Sequence, residues 1–362
     1  MTSNPHLYAL IMAGGVGERF WPRSRKKTPK QLLDLTGSGL SMLALTVQRV
    51  QPLISIENIY VITNIHQKEA IHRAVPYLLE NQVIGEPLGR NTAACVGLGA
   101  MLLQEKDPDS MMLVLSADHQ IEDVKLFQET VKEGLEWAKK DHLVTIGITP
   151  TGAETEYGYI QAGEELSNTQ MTTYVIQNFK EKPSQSLAQQ FLEEGGYFWN
   201  TGLFIWKSSV ILHEMQAYAP ELYKGLSKIC FESEATLRTS LESHYVDLPS
   251  LPIDIAVMEE SERGVMVQGS FDWNDLGLWT SVAKSYPATD EDGNICAQGD
   301  YVTVDANDNF LYTDAGVVGI LGVSDSILVR EGDAVLLCHK NRAKDVKTLV
   351  KHLRQKYEET YL

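Results

Sequence analysis

The sequence predicts an α/β protein with a mainly parallel sheet, followed by a small β domain. Three observations carry this. Short apolar runs alternate with helical patterns over the first ~280 residues, which implies βαβ units. A glycine-rich turn follows the first apolar run directly. From about residue 290 the chain changes to closely spaced strand-like runs broken by Gly, Asp and Asn.

The predicted strands of the first part are Leu7–Met12, Ile59–Thr63, Met111–Ser116 and Leu143–Ile148, all apolar and β-branched as buried strands are. Helical patterns lie between them at Ser41–Val50, Gln67–Ala74, Thr92–Gln104 and Val124–Lys139. Pro287 and the turn cluster Asp290-Glu-Asp-Gly293 mark a boundary. Beyond it, strands are expected at Tyr301–Asp305, Asn309–Thr313, Val317–Val323, Ser326–Arg330 and Ala334–His339, then an amphipathic helix from about Ala343 to Glu358.

The 362 residues suggest about two domains, and 43% hydrophobic with 22% charged residues is ordinary globular composition. No apolar run approaches the ~20 residues of a membrane span. Cys95, Cys230, Cys296 and Cys338 lie far apart without a CxxC spacing, so neither zinc nor a disulfide framework is expected, and a cytoplasmic location is. A net charge of −17 argues against nucleic acid and anionic lipid as partners. Residues 19–30 run against that total: Arg19, Arg23, Arg25, Lys26, Lys27 and Lys30 stand there with no acid among them.

That basic stretch continues the turn Gly14-Gly15-Val16-Gly17-Glu18-Arg19. The turn lacks the Gly-Lys-Ser/Thr of a Walker A loop, and Phe20 stands where a dinucleotide fingerprint needs its third glycine. Glycines after a strand are often only a tight turn. Joined to arginine and lysine, they make a phosphate cradle, because backbone N–H groups approach the oxygens closely and the side chains add charge.

The stretch Gly14-Gly-x-Gly-x-Arg19-x-Trp21-Pro22-x-Ser24-Arg25…Pro29-Lys30-Gln31 resembles the signature of the sugar-1-phosphate nucleotidyltransferases, and more narrowly their guanylyl branch acting on mannose 1-phosphate. Glu86-Pro-x-x-Arg90-Asn-Thr-Ala-Ala94, Ser116-Ala-Asp118-His119 and Glu156-Tyr-Gly-Tyr-Ile160 follow in the family order. So do Phe179-Lys-Glu-Lys-Pro183, Trp199-Asn-Thr-Gly202, Ile253-Asp254 and Asp272-Trp-Asn-Asp275-Leu-Gly277-x-Trp279. The resemblance covers essentially the whole chain.

It implies a Rossmann-like nucleotidyltransferase domain over 1–285 and a left-handed β-helix-like tail over 286–362 that serves packing and a homodimer; edge protection within one chain accounts for the tail's strands equally well. The implied reaction is GTP plus α-D-mannose 1-phosphate to GDP-mannose and pyrophosphate, with Mg²⁺ as cofactor. Another sugar 1-phosphate as acceptor, or a silent regulatory relative, are the alternatives.

By the same resemblance, Gly14, Gly15, Gly17, Arg19 and Lys30 receive the triphosphate, with Arg19, Lys30 and Lys182 as the catalytic cations. Asp118 and Asp275 would share the metal, although either carboxylate could instead cap a turn or helix. Glu86 can accept from guanine N1–H and the exocyclic amine together, or merely end a strand before Pro87. Pro87, Arg90 and Asn91 complete the nucleotide loop. Lys182 suits the sugar phosphate, or is a surface lysine before a turn; Glu181, pointing to the opposite face of a strand end, would bond sugar hydroxyls. Gly158 and Asn200 are further sugar contacts, and Asp254 is either another or the cap of a helix starting near Ile255. His119 is expected to be structural, since an ionised sugar phosphate needs no general base. Arg23 departs from the family's usual leucine, and a chain of 362 residues without a cupin-like domain is expected to lack isomerase activity.

Overall fold

A computed structural model of the protein describes residues 4–167 and 171–362. The first strands are β1 (Leu7–Ala13), β2 (Ile59–Asn64), β3 (Val83–Glu86), β4 (Met111–Ser116) and β5 (Gln120–Ile121). They are followed by β6 (Leu143–Ile148), β7 (Gly158–Ser167), β8 (Thr173–Lys180), β9 (Tyr197–Lys207), β10 (Gly264–Gly269) and β11 (Trp273–Asn274). The C-terminal strands are β12 (Ile295–Val304), β13 (Phe310–Leu321), β14 (Ser326–Glu331) and β15 (Ala334–His339).

Nine strands form one sheet in the order β3-β2-β1-β4-β9-β6-β10-β8-β7, with β7 also pairing β9. The first four are mutually parallel, as expected. The sheet as a whole is mixed, because the long strand β9 runs antiparallel to β4, β6 and β7. Helix α1 (Met42–Val50) opens on Ser41, whose side chain accepts from Ala44 N–H. Helices α2 (Lys68–Ala74) and α3 (Asn91–Lys106) follow, then α4 (Val124–Ala138), capped in the same way by Asp123 accepting from Leu126 N–H. Each face of the sheet buries its own apolar cluster, one with α3 and one with α1 and α4. Helix α3 lies close against β1 because a Cβ at Gly99 would collide with Leu10.

At the C-terminus, β12, β13 and β14 are parallel neighbours and β15 returns antiparallel, making the β tail. The sequence suggested two strands, 309–313 and 317–323, where the structure has the single strand β13. Gly316, at φ +73°, turns that strand through a corner without ending it. A third cluster joins Phe20, Trp21 and Trp279 to Phe310, Ile327 and Leu336, so the tail packs beneath the glycine-rich loop. The final helix, Val346–Tyr357, lies against the same loop. No helix among the described residues is long and apolar enough to cross a membrane.

Candidate active site

The glycine-rich loop leaves the end of β1 and doubles back on itself. Lys30 N–H donates to the Val16 carbonyl at 3.2 Å, and Ser24 Oγ donates to the same oxygen. Gly17 sits at φ +75°, and a Cβ there would strike the Lys30 side chain. Glycine at this position therefore lets Lys30 pass under the loop. A cavity of about 370 Å³ opens beside it, lined by Gly14, Gly15, Gly17 and Lys30 from the loop, Glu86 from β3, Arg90 and Asn91 at the start of α3, and Asp118 beyond β4. Eight of the sequence-predicted nucleotide residues thus meet around one space.

Lys30 is nearly inaccessible, at 6% exposed. Its Nζ donates to Asp118 Oδ2 at 2.7 Å and to the Asp275 carbonyl at 2.8 Å. Burial alone would raise the Asp118 carboxyl. The charge of Lys30, aided by hydrogen bonds from Lys30 and Ser116, outweighs it and holds Asp118 well below the usual carboxylate range.

A two-stranded ribbon brings Asp275 to the same place. β5 and β11 pair antiparallel with Gln120 opposite Asn274, so Asp118 and Asp275 arrive at one end of the ribbon. His119 is clamped between them: Trp273 Nε1 donates to its Nδ1 at 3.3 Å, and Arg49 donates to its carbonyl at 3.2 Å. Burial lowers the His119 ring below the ordinary histidine range, in keeping with a neutral structural acceptor. Asp275 Oδ1 accepts from Gly277 N–H at 2.9 Å and from Tyr157 Oη at 3.0 Å. It therefore does stabilise its own turn, while Oδ2 has no protein donor among the described residues. Asp118 and Asp275 thus both flank Lys30, Asp118 through its carboxylate and Asp275 through its carbonyl, and carboxylate oxygens are the donors a hard divalent cation prefers. His6, Asp107 and Asp109 form the other acidic cluster of note, at the opposite end of β1 and outside this site.

The second cluster lies across Tyr157. Gly158 begins β7, and a Cβ on it would come within 2.7 Å of Glu181 Oε2. Thr145 Oγ1 donates to Asn200 Oδ1 at 2.9 Å, which fixes the amide so that Asn200 Nδ2 donates to Asp254 Oδ1 at 2.9 Å. Burial, and next the charge of Glu181, push the Asp254 carboxyl up to about 7.

Three expectations change here. Glu181 and Lys182 do not point to opposite faces: β8 ends at Lys180, Lys182 takes φ +43°, and its Nζ folds back onto Glu181 Oε1 at 2.6 Å. Asp254 caps no helix; it is the first residue of a single π-turn, Asp254–Met258, and its side chain faces Asn200. The basic stretch is not devoted to one polyanion, because Arg23, Arg25 and Lys26 pair with Glu331, Asp333 and Glu359 of the C-terminal region.

Two more residues sit off the cavity. Arg19 pairs with Glu156 at 2.7 Å, beside Tyr157. Pro87 lines a neighbouring cavity of about 810 Å³, across β3. Glu86 is 5% exposed, bonded to the Tyr245 hydroxyl, and raised to about 7 by burial against the opposing effect of that bond. Tyr245 was invisible to the sequence reading, since nothing local links positions 159 residues apart. Tyr157 and Gln31 stood within recognised motifs, which was the available signal. Gln31 donates to the Ala13 carbonyl and to Gln67, tying the loop to the end of β1.

A glycine loop at the carboxyl end of a strand, with a buried lysine bonded to an aspartate beside it, fits a phosphate-handling α/β enzyme. Comparison with known proteins narrows this. Residues 8–291 match the nucleotidyl transferase family, and residues 299–353 match the mannose-phosphate isomerase/GMP-like β-helix domain. A mannose-1-phosphate guanylyltransferase from Salmonella typhimurium is 37% identical over 97% of this chain and 73% of its own length. The Escherichia coli K12 mannose-1-phosphate guanylyltransferase is 35% identical over 96% of this chain and 73% of its own. The crystal structure of mannose-1-phosphate geranyltransferase from Thermus thermophilus superposes with a TM-score of 0.85 at 35% identity, covering 96% of this chain and 99% of that one. The chain belongs to the nucleotidyl transferase family, among the relatives of the mannose-1-phosphate guanylyltransferases.

Proposed function

We propose that the protein transfers GMP from GTP to α-D-mannose 1-phosphate, giving GDP-mannose and pyrophosphate, with a catalytic domain over 1–285 and the β tail over 286–362. A phosphate oxygen of the sugar attacks the α-phosphorus in line, and the bond from that phosphorus to the bridging oxygen breaks as pyrophosphate leaves. The observation that carries this reading is the Lys30–Asp118–Asp275 cluster, which joins the loop-lined cavity on one side to the Glu181–Lys182–Asn200–Asp254 cluster on the other. The names and coverage of the relatives support the same reaction.

In this reading the N–H groups of Gly14, Gly15 and Gly17 receive phosphate oxygens, and Lys30 adds charge from beneath. Arg19 exchanges Glu156 for the triphosphate. Glu86 reads guanine, and Arg90, whose Nε has no protein partner among the described residues, faces the nucleotide with Asn91 and Pro87 shaping the loop. Lys182 leaves Glu181 for the sugar phosphate, while Gly158, Glu181, Asn200 and Asp254 hold the sugar. Asp118 and Asp275 would hold Mg²⁺, which neutralises charge on the phosphates when bound. Four free cysteines support a cytoplasmic location. Exposed Val302, Val317 and Leu321 on the tail support a homodimer, checked by light scattering.

Pyrophosphate release assayed with four nucleoside triphosphates and several sugar 1-phosphates tests the reaction. Turnover is expected with GTP and mannose 1-phosphate. Preference for another pair reassigns the specificity, and no turnover with any pair leaves a binding subunit.

A further inference from the structure

We infer that the β tail is a positioning element of the nucleotide site, gripping the glycine-rich loop from outside through its charged side chains. This rests on the proposed use of that loop for GTP.

Between β1 and α1 the loop has two single 3-10 turns, Glu18–Phe20 and Lys30–Leu32, and one bridge between Arg25 and Thr28. Internal bonds such as those of Lys30 N–H and Ser24 Oγ to the Val16 carbonyl fold the loop back on itself, and its outward charged side chains are left to be held by its surroundings. The tail and the helix after it supply them at both ends of the basic stretch. On the near side, Arg354 Nη2 donates to Glu18 Oε1 at 2.8 Å, and the Tyr361 carbonyl accepts from Trp21 Nε1 at 2.8 Å. On the far side, Arg25 Nη2 donates to Asp333 Oδ1 at 2.6 Å and to the Glu331 carbonyl at 3.2 Å. Arg23 lies 4.0 Å over the Tyr312 ring, with Glu331 at 3.4 Å.

Three of these tail groups, Glu331, Asp333 and Arg354, touch none of the residues assigned to substrate. Within the loop they meet only the residues that flank them. Glu18 is the chain neighbour of Arg19, and Arg23 and Arg25 lie between Gly17 and Lys30. Arg23 and Arg25 are thus held by carboxylates and are withheld from the phosphates, which fixes the loop and leaves Lys30 as the cation of the basic stretch that lines the cavity. The tail would act on GTP affinity, and the sugar side, built on β7, β8 and β9, would not sense it.

The test is the full-length protein with Glu331→Gln, Asp333→Asn and Arg354→Gln, singly and combined, and with Asp333→Glu as the conservative control. GTP binding is measured directly by calorimetry, the two KM values by pyrophosphate release, and Tm by calorimetric scanning. Partly exposed pairs are individually weak, so the triple variant is expected to lose about three- to tenfold in GTP affinity and in KM for GTP. KM for the sugar 1-phosphate should stay within a factor of about two, and Asp333→Glu should restore most of its single-site loss. Unchanged GTP affinity, or KM values for both substrates rising together in step with a fall in Tm, overturns the inference. A wild-type protein that binds GTP but does not use mannose 1-phosphate defeats the functional proposal while leaving the affinity measurements readable. A wild type that binds no GTP defeats both.

Discussion

On the proposed nucleotide side, Asp118 has an ammonium 2.7 Å from its carboxylate and is held ionised far below neutrality. On the proposed sugar side, Asp254 has an amide at 2.9 Å and a second carboxyl, Glu181, nearby, and burial pushes it up to about 7. Both are acids set among polar partners at the edge of one sheet. The first has its countercharge supplied by the fold. The second shares a neighbourhood with Glu181 and depends on Lys182, whose Nζ is already bonded to Glu181. The difference teaches that the Lys30–Asp118 pair is charge-balanced by the fold itself, whereas the Asp254–Glu181 neighbourhood remains open to the proton.

The largest effect should come from breaking the balanced side. Asp118→Asn or Asp275→Asn is expected to lower turnover by about three orders of magnitude. Asp118→Asn should also lower Tm, because it leaves the Lys30 ammonium buried without its countercharge. Turnover within tenfold of wild type in both variants would show that the pairing is only structural.

Next comes the single cation of the other side. Lys182→Gln should raise KM for the sugar 1-phosphate about thirtyfold, the value of one charged hydrogen bond, and leave KM for GTP nearly unchanged. Equal changes in both constants would erase the proposed division of labour.

A smaller effect concerns pH. Glu86 must be ionised to accept two donors from guanine, and it titrates at about 7. KM for GTP should therefore rise about tenfold from pH 8 to pH 6, and Glu86→Gln should bind weakly with a flat profile. Removing the Tyr245 hydroxyl with Tyr245→Phe takes away the bond that lowers Glu86, so the profile should move to higher pH.

The smallest effect is on stability. Asp254 is raised in the folded state above its ordinary value, so the native protein binds the extra proton between the two values. Its contribution is complete below the unfolded carboxyl value near 4 and is lost as pH rises through about 7. Wild-type Tm is expected to fall by a few degrees between pH 5 and pH 8, and Asp254→Asn should flatten that slope. A slope that Asp254→Asn leaves unchanged would place the titration elsewhere.

Much of the fold was legible beforehand. Strands Met111–Ser116 and Leu143–Ile148 have the bounds the sequence suggested, because an apolar run bounded by polar residues is a local signal. The start of β12 was missed, since Ile295–Gln298 alternates poorly and bends at Gly299, φ +95°. Most of the candidate site residues were named from motifs at strand ends. Which of them touch was beyond reach: Lys30 with Asp118, Asn200 with Asp254, and Tyr245 with Glu86 are joined only when distant segments pack.

The sequence by itself determined the strands at 7–13, 59–64, 111–116 and 143–148, the helices between them, the glycine turn, and the kinds of side chain delivered to the strand ends. It did so because hydrophobic periodicity and turn chemistry act over a few residues. Only the tertiary structure decided how the charges are used. Six cations in a row look alike in a sequence, yet three of them are taken up by acids of the C-terminal region, and one is buried against Asp118. The strength of a charge interaction depends on distance and burial, and both are properties of the packed molecule.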